Sequence, residues 1–207
     1  NIEGMRILAE IGVRIGVLDE AQFLLESAIT FDPDDIQIRI DLIQVLRDRQ
    51  RYEKAFEETG KLLQMNPNNL QFQSLYAILC MQLGDFDNAI NYFDRIIKRS
   101  PKDPITHVSR GHALKTQGDF SEAVISYRKA SKKQPLHCEA YYALSNLKTY
   151  RFSDGEVEAM QHIANDARVS GQNEVYLNFA LGKAYEDRKN FDLAFSHYAF
   201  GNSTKAA

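Results

Sequence analysis

The chain has 207 residues, 44% of them hydrophobic and 26% charged, an ordinary globular composition and enough length for one large domain or a short repeat array. A net charge of −3 argues against nucleic acid as the main partner, because phosphate binding needs clustered Lys and Arg. No apolar run approaches the ~20 residues that cross a bilayer, and no secretory signal is visible.

At Asn1 the chain is already in a helical pattern, without an initiator Met, and it reads as a piece of a longer protein. Prolines then stand at 33, 67, 101 and 135, thirty-four residues apart, with only Pro104 off the grid. Fixed spacing with drifting identity marks a copied structural unit. Placing that proline at position 32 gives units 2–35, 36–69, 70–103 and 104–137. Position 20 is then Ala21, Ala55, Ala89 and Ala123; position 17 is Leu18, Tyr52, Phe86 and Phe120; position 15 is Gly16, Gln50, Gly84 and Gly118.

Each unit predicts two helices. In 70–103, Leu75, Tyr76, Leu79 and Leu83 recur at helical spacing and form one apolar face. Gly84 ends that helix, since glycine turns left-handed at no steric cost, and Asp85 opens the next by offering its carboxylate to free backbone N–H groups. In 104–137 the stretch Asp119 to Glu122 has the spacing of a capping box. Ala89, Phe93 and Ile96, and then Ala123, Tyr127 and Ala130, are expected to face inward on the second helices, which Pro101 and Pro135 end. Position 8 is Ala9, Ala77 and Gly111, with Ile43 the exception. Its small residues predict a close crossing against the Ala at position 20, with the side chain at position 17 filling the space beside it. Phe86 is therefore expected to be buried. From Cys138 the frame drifts. Tyr141, Leu144 and Leu147 predict a first helix, Phe152 replaces the glycine, and Ser153 to Glu156 forms a capping box. A loop, VSGQNE, then precedes a unit starting at Val175, where Gly182, Phe191, Ala194 and Tyr198 restore the pattern.

The recurring L-x-x-G-D-[FY]-x-x-A-[IV]-x-x-[FY], with Pro at position 32, resembles the tetratricopeptide repeat (TPR) over essentially the whole chain. The resemblance implies an all-α fold, a right-handed α-solenoid of TPR helical hairpins in one array over 1–207. Its six units are 2–35, 36–69, 70–103, 104–137, a degenerate 138–171 and 175–207. The chain departs from the family at position 4, where Trp is favoured and Met5, Arg39, Gln73, His107 and Tyr141 stand; looser packing is expected there. The phrase FALGKAYEDRKNFDLAFSHYAFGN resembles the segment before the catalytic domain in bacterial TPR–sulfotransferase fusions. That likeness implies a substrate-presenting arm whose donor-binding loop would lie beyond Ala207, so it assigns no catalytic residue here.

No nucleotide-binding, hydrolase or metalloprotease motif occurs in the chain. His107 and His112 are five residues apart, an offset that does not place two imidazoles on one helix face. Cys80 and Cys138 fit no metal or redox spacing and suit a reducing compartment. No cofactor, no metal and a cytoplasmic location are expected. The TPR resemblance places ligand contacts on the concave side, at positions 2, 5, 6, 9, 12 and 13 of the first helices. In the first two units these include Glu3, Arg6, Glu10, Arg14, Asp41, Gln44, Arg47 and Asp48, a nearly balanced charged set. The third to fifth units give Ser74, Ile78, Met81, Val108, Ser109, His112, Tyr142, Asn146 and Tyr150, apolar area mixed with hydrogen-bonding tips. That mixture suits a peptide-binding surface. The carboxylate clamp of chaperone-binding TPR domains is not matched: Arg6 and Glu10 are followed by Asp41, then Gln71 and Leu75. The expected function is a non-catalytic protein- or peptide-binding scaffold with its ligand in the groove; the alternative is the sulfotransferase arm. The C-terminal unit, with Phe191, Phe195 and Tyr198, is expected to meet another copy or a following domain.

Overall fold

Short polar side chains start the first helices. Asn1, Asp35, Asn69 and Asp103 each accept backbone N–H groups two and three residues ahead, satisfying donors that a helix start leaves open. Position 15 then turns the chain in the left-handed region: Gly16, Gln50, Gly84, Gly118 and Lys189 all have positive φ. Two of the five carry side chains, so the hairpin geometry imposes this turn even where glycine is absent.

The computed structural model describes residues 1–206, which form twelve α-helices and no strand. They are α1 (Ile2–Arg14), α2 (Leu18–Phe31), α3 (Ile36–Asp48), α4 (Tyr52–Met65), α5 (Leu70–Gln82), α6 (Phe86–Arg99), α7 (Pro104–Gln117), α8 (Phe120–Lys133), α9 (Glu139–Ser145), α10 (Asp154–Ala164), α11 (Gln172–Asp187) and α12 (Phe191–Ala206). This is the all-α architecture of a helical-repeat solenoid. No described helix is long and apolar enough to cross a membrane.

The chain divides into two compact units, 1–92 and 93 onward, at a point inside α6. In the first, α1 pairs with α2 and α3 with α4, while α2 and α4 pack on the next first helices, α3 and α5. One buried cluster runs from Ala9 to Leu79. In the second, α7 pairs with α8 and α11 with α12; α9 touches α7, α8 and α11, and α10 packs on α11.

Position 17 does not fill the helix crossing. Phe120 is 54% exposed and Phe86 only half-buried. Position 24 is the buried one instead, with Leu25, Thr59 and Tyr127 all inside. A Cβ on Gly111 would lie 2.4 Å from the Tyr127 ring, and one on Gly182 would lie 2.6 Å from that of Tyr198. Positions 8 and 24 vary inversely in size (Ala9 with Leu25, Ile43 with Thr59, Gly111 with Tyr127), so the two sites share one filled volume. Ile43 is thus no exception. The Ala at position 20 is buried in every one of the first four units, and Ala21 packs on Gly12 of α1.

Position 4 is not loosely packed either. Arg39, Gln73, His107 and Tyr141 are all buried there. Arg39 donates to the Pro33 carbonyl at 2.6 Å and Gln73 to that of Pro67 at 2.7 Å, while His107 Nε2 stands 3.1 Å from that of Pro101. A carbonyl only accepts, so His107 carries its proton on Nε2. In these three units the side chain at position 4 satisfies the carbonyl of the proline six residues earlier.

The fifth hairpin departs most. Its α9 has seven residues, and Leu147, though buried, lies beyond it. The Ser145 hydroxyl bonds back to the Tyr142 carbonyl at 2.7 Å, a local alternative that competes with helix continuation. The capping box from Ser153 to Glu156 is complete. The one expected at Asp119 is half formed: Asp119 accepts from the Glu122 N–H, while the Glu122 carboxylate faces Arg110.

Candidate ligand-binding face

In the second unit the first helices α7, α9 and α11 bring a line of polar and aromatic side chains together. His112, on α7, has Nδ1 2.9 Å from the Tyr127 hydroxyl. Its Nε2 stands 3.6 Å from one oxygen of Glu139, the first residue of α9, and His137 Nε2 is 3.4 Å from the other. His112 chiefly, and then His137, hold the Glu139 carboxyl below the usual carboxylate range, against the upward push of burial. Glu139 is therefore an ionised acceptor at neutral pH. Three residues along the same face, the Tyr142 ring stacks on Tyr176 of α11 at 5.0 Å and lies 6.0 Å from Phe179. Phe179 in turn lies 6.2 Å from Tyr198 of α12, whose hydroxyl donates to Glu186. His112, Tyr142, Tyr176 and Phe179 are all half-exposed. The line can hold apolar side chains on its rings and a hydrogen-bond donor or cation on Glu139.

The predicted residues scatter around this line. Val108 is 2% exposed and supports the packing, while Ser109 is half-buried. Asn146 is exposed, but it caps α9 and faces a separate cavity of about 390 Å³ with Lys115, Phe120, Leu147, Lys148 and Thr149. Tyr150 packs edge-on against Phe152 and donates to Glu156, so its hydroxyl is already used. Expecting Tyr142, Asn146 and Tyr150 on one helix face required a longer α9. In the first unit Ser74, Ile78 and Met81 lie half-buried on α5. The charged positions of α1 and α3 share a cavity of about 360 Å³ lined by Arg6, Glu10, Asp41 and Gln44, among others. Arg6 pairs there with Asp41 at 3.4 Å, and Arg14 pairs with Glu10 at 2.7 Å. Glu139, Tyr176 and Phe179 were missed, although they occupy groove positions 2 and 5 of the fifth and sixth units.

The remaining candidate chemistry is closed off. His107 is buried against Pro101, and burial pushes the Cys80 thiol up to about 11 and that of Cys138 to about 12. A thiol-reactive dye at neutral pH is expected to leave both cysteines unlabelled in the native chain and to label both in denaturant, since the thiolate is the nucleophile. Native labelling of either would show that its helix opens readily. Among the described residues no group of three or more His, Cys, Asp and Glu is placed to hold a metal.

Two family models, each described as tetratricopeptide repeat, match the chain: one at residues 16–79 and 46–115, the other at 106–134. Among curated proteins, the small glutamine-rich tetratricopeptide repeat-containing protein 2 of Mycosarcoma maydis is 34% identical over 84 residues, 41% of this chain and 24% of that protein. The human protein O-mannosyl-transferase TMTC1 is 24% identical over 136 residues, 64% of this chain and 15% of that protein. This chain thus spans about a quarter or less of either relative. Among solved structures, MamA from Desulfovibrio magneticus RS-1, residues 41 to its end, superposes with a TM-score of 0.60 at 14% identity, covering 99% of this chain and 95% of that one. At that identity the likeness is one of fold.

Proposed function

Because this chain belongs to the tetratricopeptide-repeat family, we propose that it is a non-catalytic scaffold that holds an extended protein segment on the first-helix face of its second unit. The observation that carries this reading is the row of half-exposed rings, Tyr142, Tyr176 and Phe179, beside the ionised Glu139. Rigid aromatics give contact area at low entropic cost, and the carboxylate takes a backbone N–H or a basic side chain. The charges of the first unit answer one another instead, as in the Arg6–Asp41 and Arg14–Glu10 pairs. A peptide array is the test. Tyr142→Ala, shown folded by circular dichroism, is expected to weaken the best peptides by at least ~2 kcal/mol, about thirtyfold. Glu139→Gln should weaken basic peptides selectively. Arg6→Glu and Arg47→Glu should leave binding unchanged; the reverse outcome would move the ligand to the first unit. The alternative, a substrate-presenting sulfotransferase arm, rests on the phrase in residues 179–202. It asks the same of this chain, binding without chemistry, and differs only in the domain that the parent gene would encode downstream of Ala207.

A further inference from the structure

The cavity beside Asn146 sits where α9 stops early. Asn146 to Thr149 are positions 9 to 12 of the fifth hairpin, and those positions are helical in the other five. Here they form a turn, and together with Lys115, Phe120 and Leu147 they line a volume of about 390 Å³. That lies within the roughly 300–1,000 Å³ of ligand sites. Position 17 shows the same gap from the other side. Leu18 and Tyr52, which precede the thirteen-residue α3 and α5, are half-buried, whereas Phe120, which precedes the seven-residue α9, is exposed. Lys115 is half-buried and Lys148 exposed, and among the described residues neither ammonium has a carboxylate partner. Asp119, next to Phe120 in the chain, is already engaged: it accepts from the Glu122 N–H and the Ser121 hydroxyl. Two unanswered cations beside Phe120 and Leu147 suit an anion carried next to an apolar group.

We propose that this cavity takes a large apolar side chain from an extended segment of a partner protein, with an acidic residue beside it answering Lys115 and Lys148. The proposal rests on the ring face holding that segment, because the cavity adjoins it. His112 and Lys115 are three residues apart on one face of α7. The Asn146 N–H bonds to the Tyr142 carbonyl at 3.1 Å, one helix turn past the Tyr142 ring. From Glu139 to Asn146 is about 10 Å of helix, which about three extended residues span. The face is therefore acidic at Glu139 and basic at the cavity. The segment it fits has a basic residue about three residues from an apolar–acidic pair, and a segment with those charges exchanged is rejected.

Fluorescence anisotropy with labelled peptides tests this. Lys-Ser-Ser-Phe-Glu and its reverse, Glu-Phe-Ser-Ser-Lys, each in a Gly/Ser carrier, are compared with the charge-exchanged Glu-Ser-Ser-Phe-Lys. The wild type is expected to bind one of the first two at least about tenfold more tightly than the third. Lys115→Glu and Lys148→Glu should each shrink that preference, and together abolish it, while Tyr142→Ala weakens all three peptides. Lys148 is exposed and outside any helix, so its variant serves alone should Lys115→Glu lose helicity. Equal binding of the three peptides, still weakened by Tyr142→Ala, would overturn the cavity and leave the ring face standing. A preference that survives both lysine reversals would also overturn it. Binding of none of the peptides would overturn cavity and ring face together.

Discussion

Tyr127→Ala is expected to destabilise the chain by about 3–5 kcal/mol, whereas Phe120→Ala, two helix turns nearer the start of α8, is expected to cost less than ~1 kcal/mol. Both are aromatic and both sit on the second helix of the same hairpin. Tyr127 is completely buried, whereas Phe120 is 54% exposed. The Tyr127 ring lies against Gly111, whose missing side chain makes the room. Gly111→Ala is accordingly expected to be destabilising even though alanine favours helix: the added methyl would lie 2.4 Å from the ring, and overpacking of this kind costs about 1–3 kcal/mol. Combining Gly111→Ala with Tyr127→Leu reproduces the Ala9 and Leu25 pair of the first hairpin. The double variant should be more stable than the sum of the two single losses predicts, because neighbours that share a volume are not additive. Urea unfolding of the four proteins measures this directly. Additive losses would mean that the two positions do not share a packed volume.

Arg39→Ala is the other large expected loss, about 2–4 kcal/mol, since removing one member of a buried ion pair strands its partner and any carbonyl it served. Arg39 pairs with Glu58 and donates to the Pro33 carbonyl; Lys61, 2.6 Å from the other Glu58 oxygen, keeps that carboxylate partly compensated. Arg39→Gln separates the two contributions. Gln73 reaches the Pro67 carbonyl from the equivalent place, so a glutamine at 39 should recover about 1 kcal/mol of the loss, the net worth of one hydrogen bond. Equal midpoints for the Ala and Gln variants in thermal unfolding would mean that the carbonyl contact contributes nothing.

The sequence by itself determined the period, the hairpins and most helix ends, because these are local matters: a proline that stops a helix, a left-handed turn at position 15, an Asp or Asn that caps the next start. The same residues act alike in any tertiary setting. What only the tertiary structure decided was which side of each second helix is covered. Positions 17 and 24 lie two turns apart with similar side chains, and only the neighbouring first helix puts Tyr127 inside and leaves Phe120 open. The tertiary structure also decided that Arg39, Gln73 and His107, read as imperfect replacements for one large apolar ring, reach back to the preceding proline's carbonyl. A buried carbonyl needs a donor of any suitable shape, a demand that a pattern of residue types does not display. The candidate face divides in the same way. His112 and Tyr142 could be placed by counting positions, but Asn146 and Tyr150 could not once α9 stopped at Ser145. The ring of Tyr176 joined the face because α11 packs directly on α9, a contact that a count along one chain does not contain.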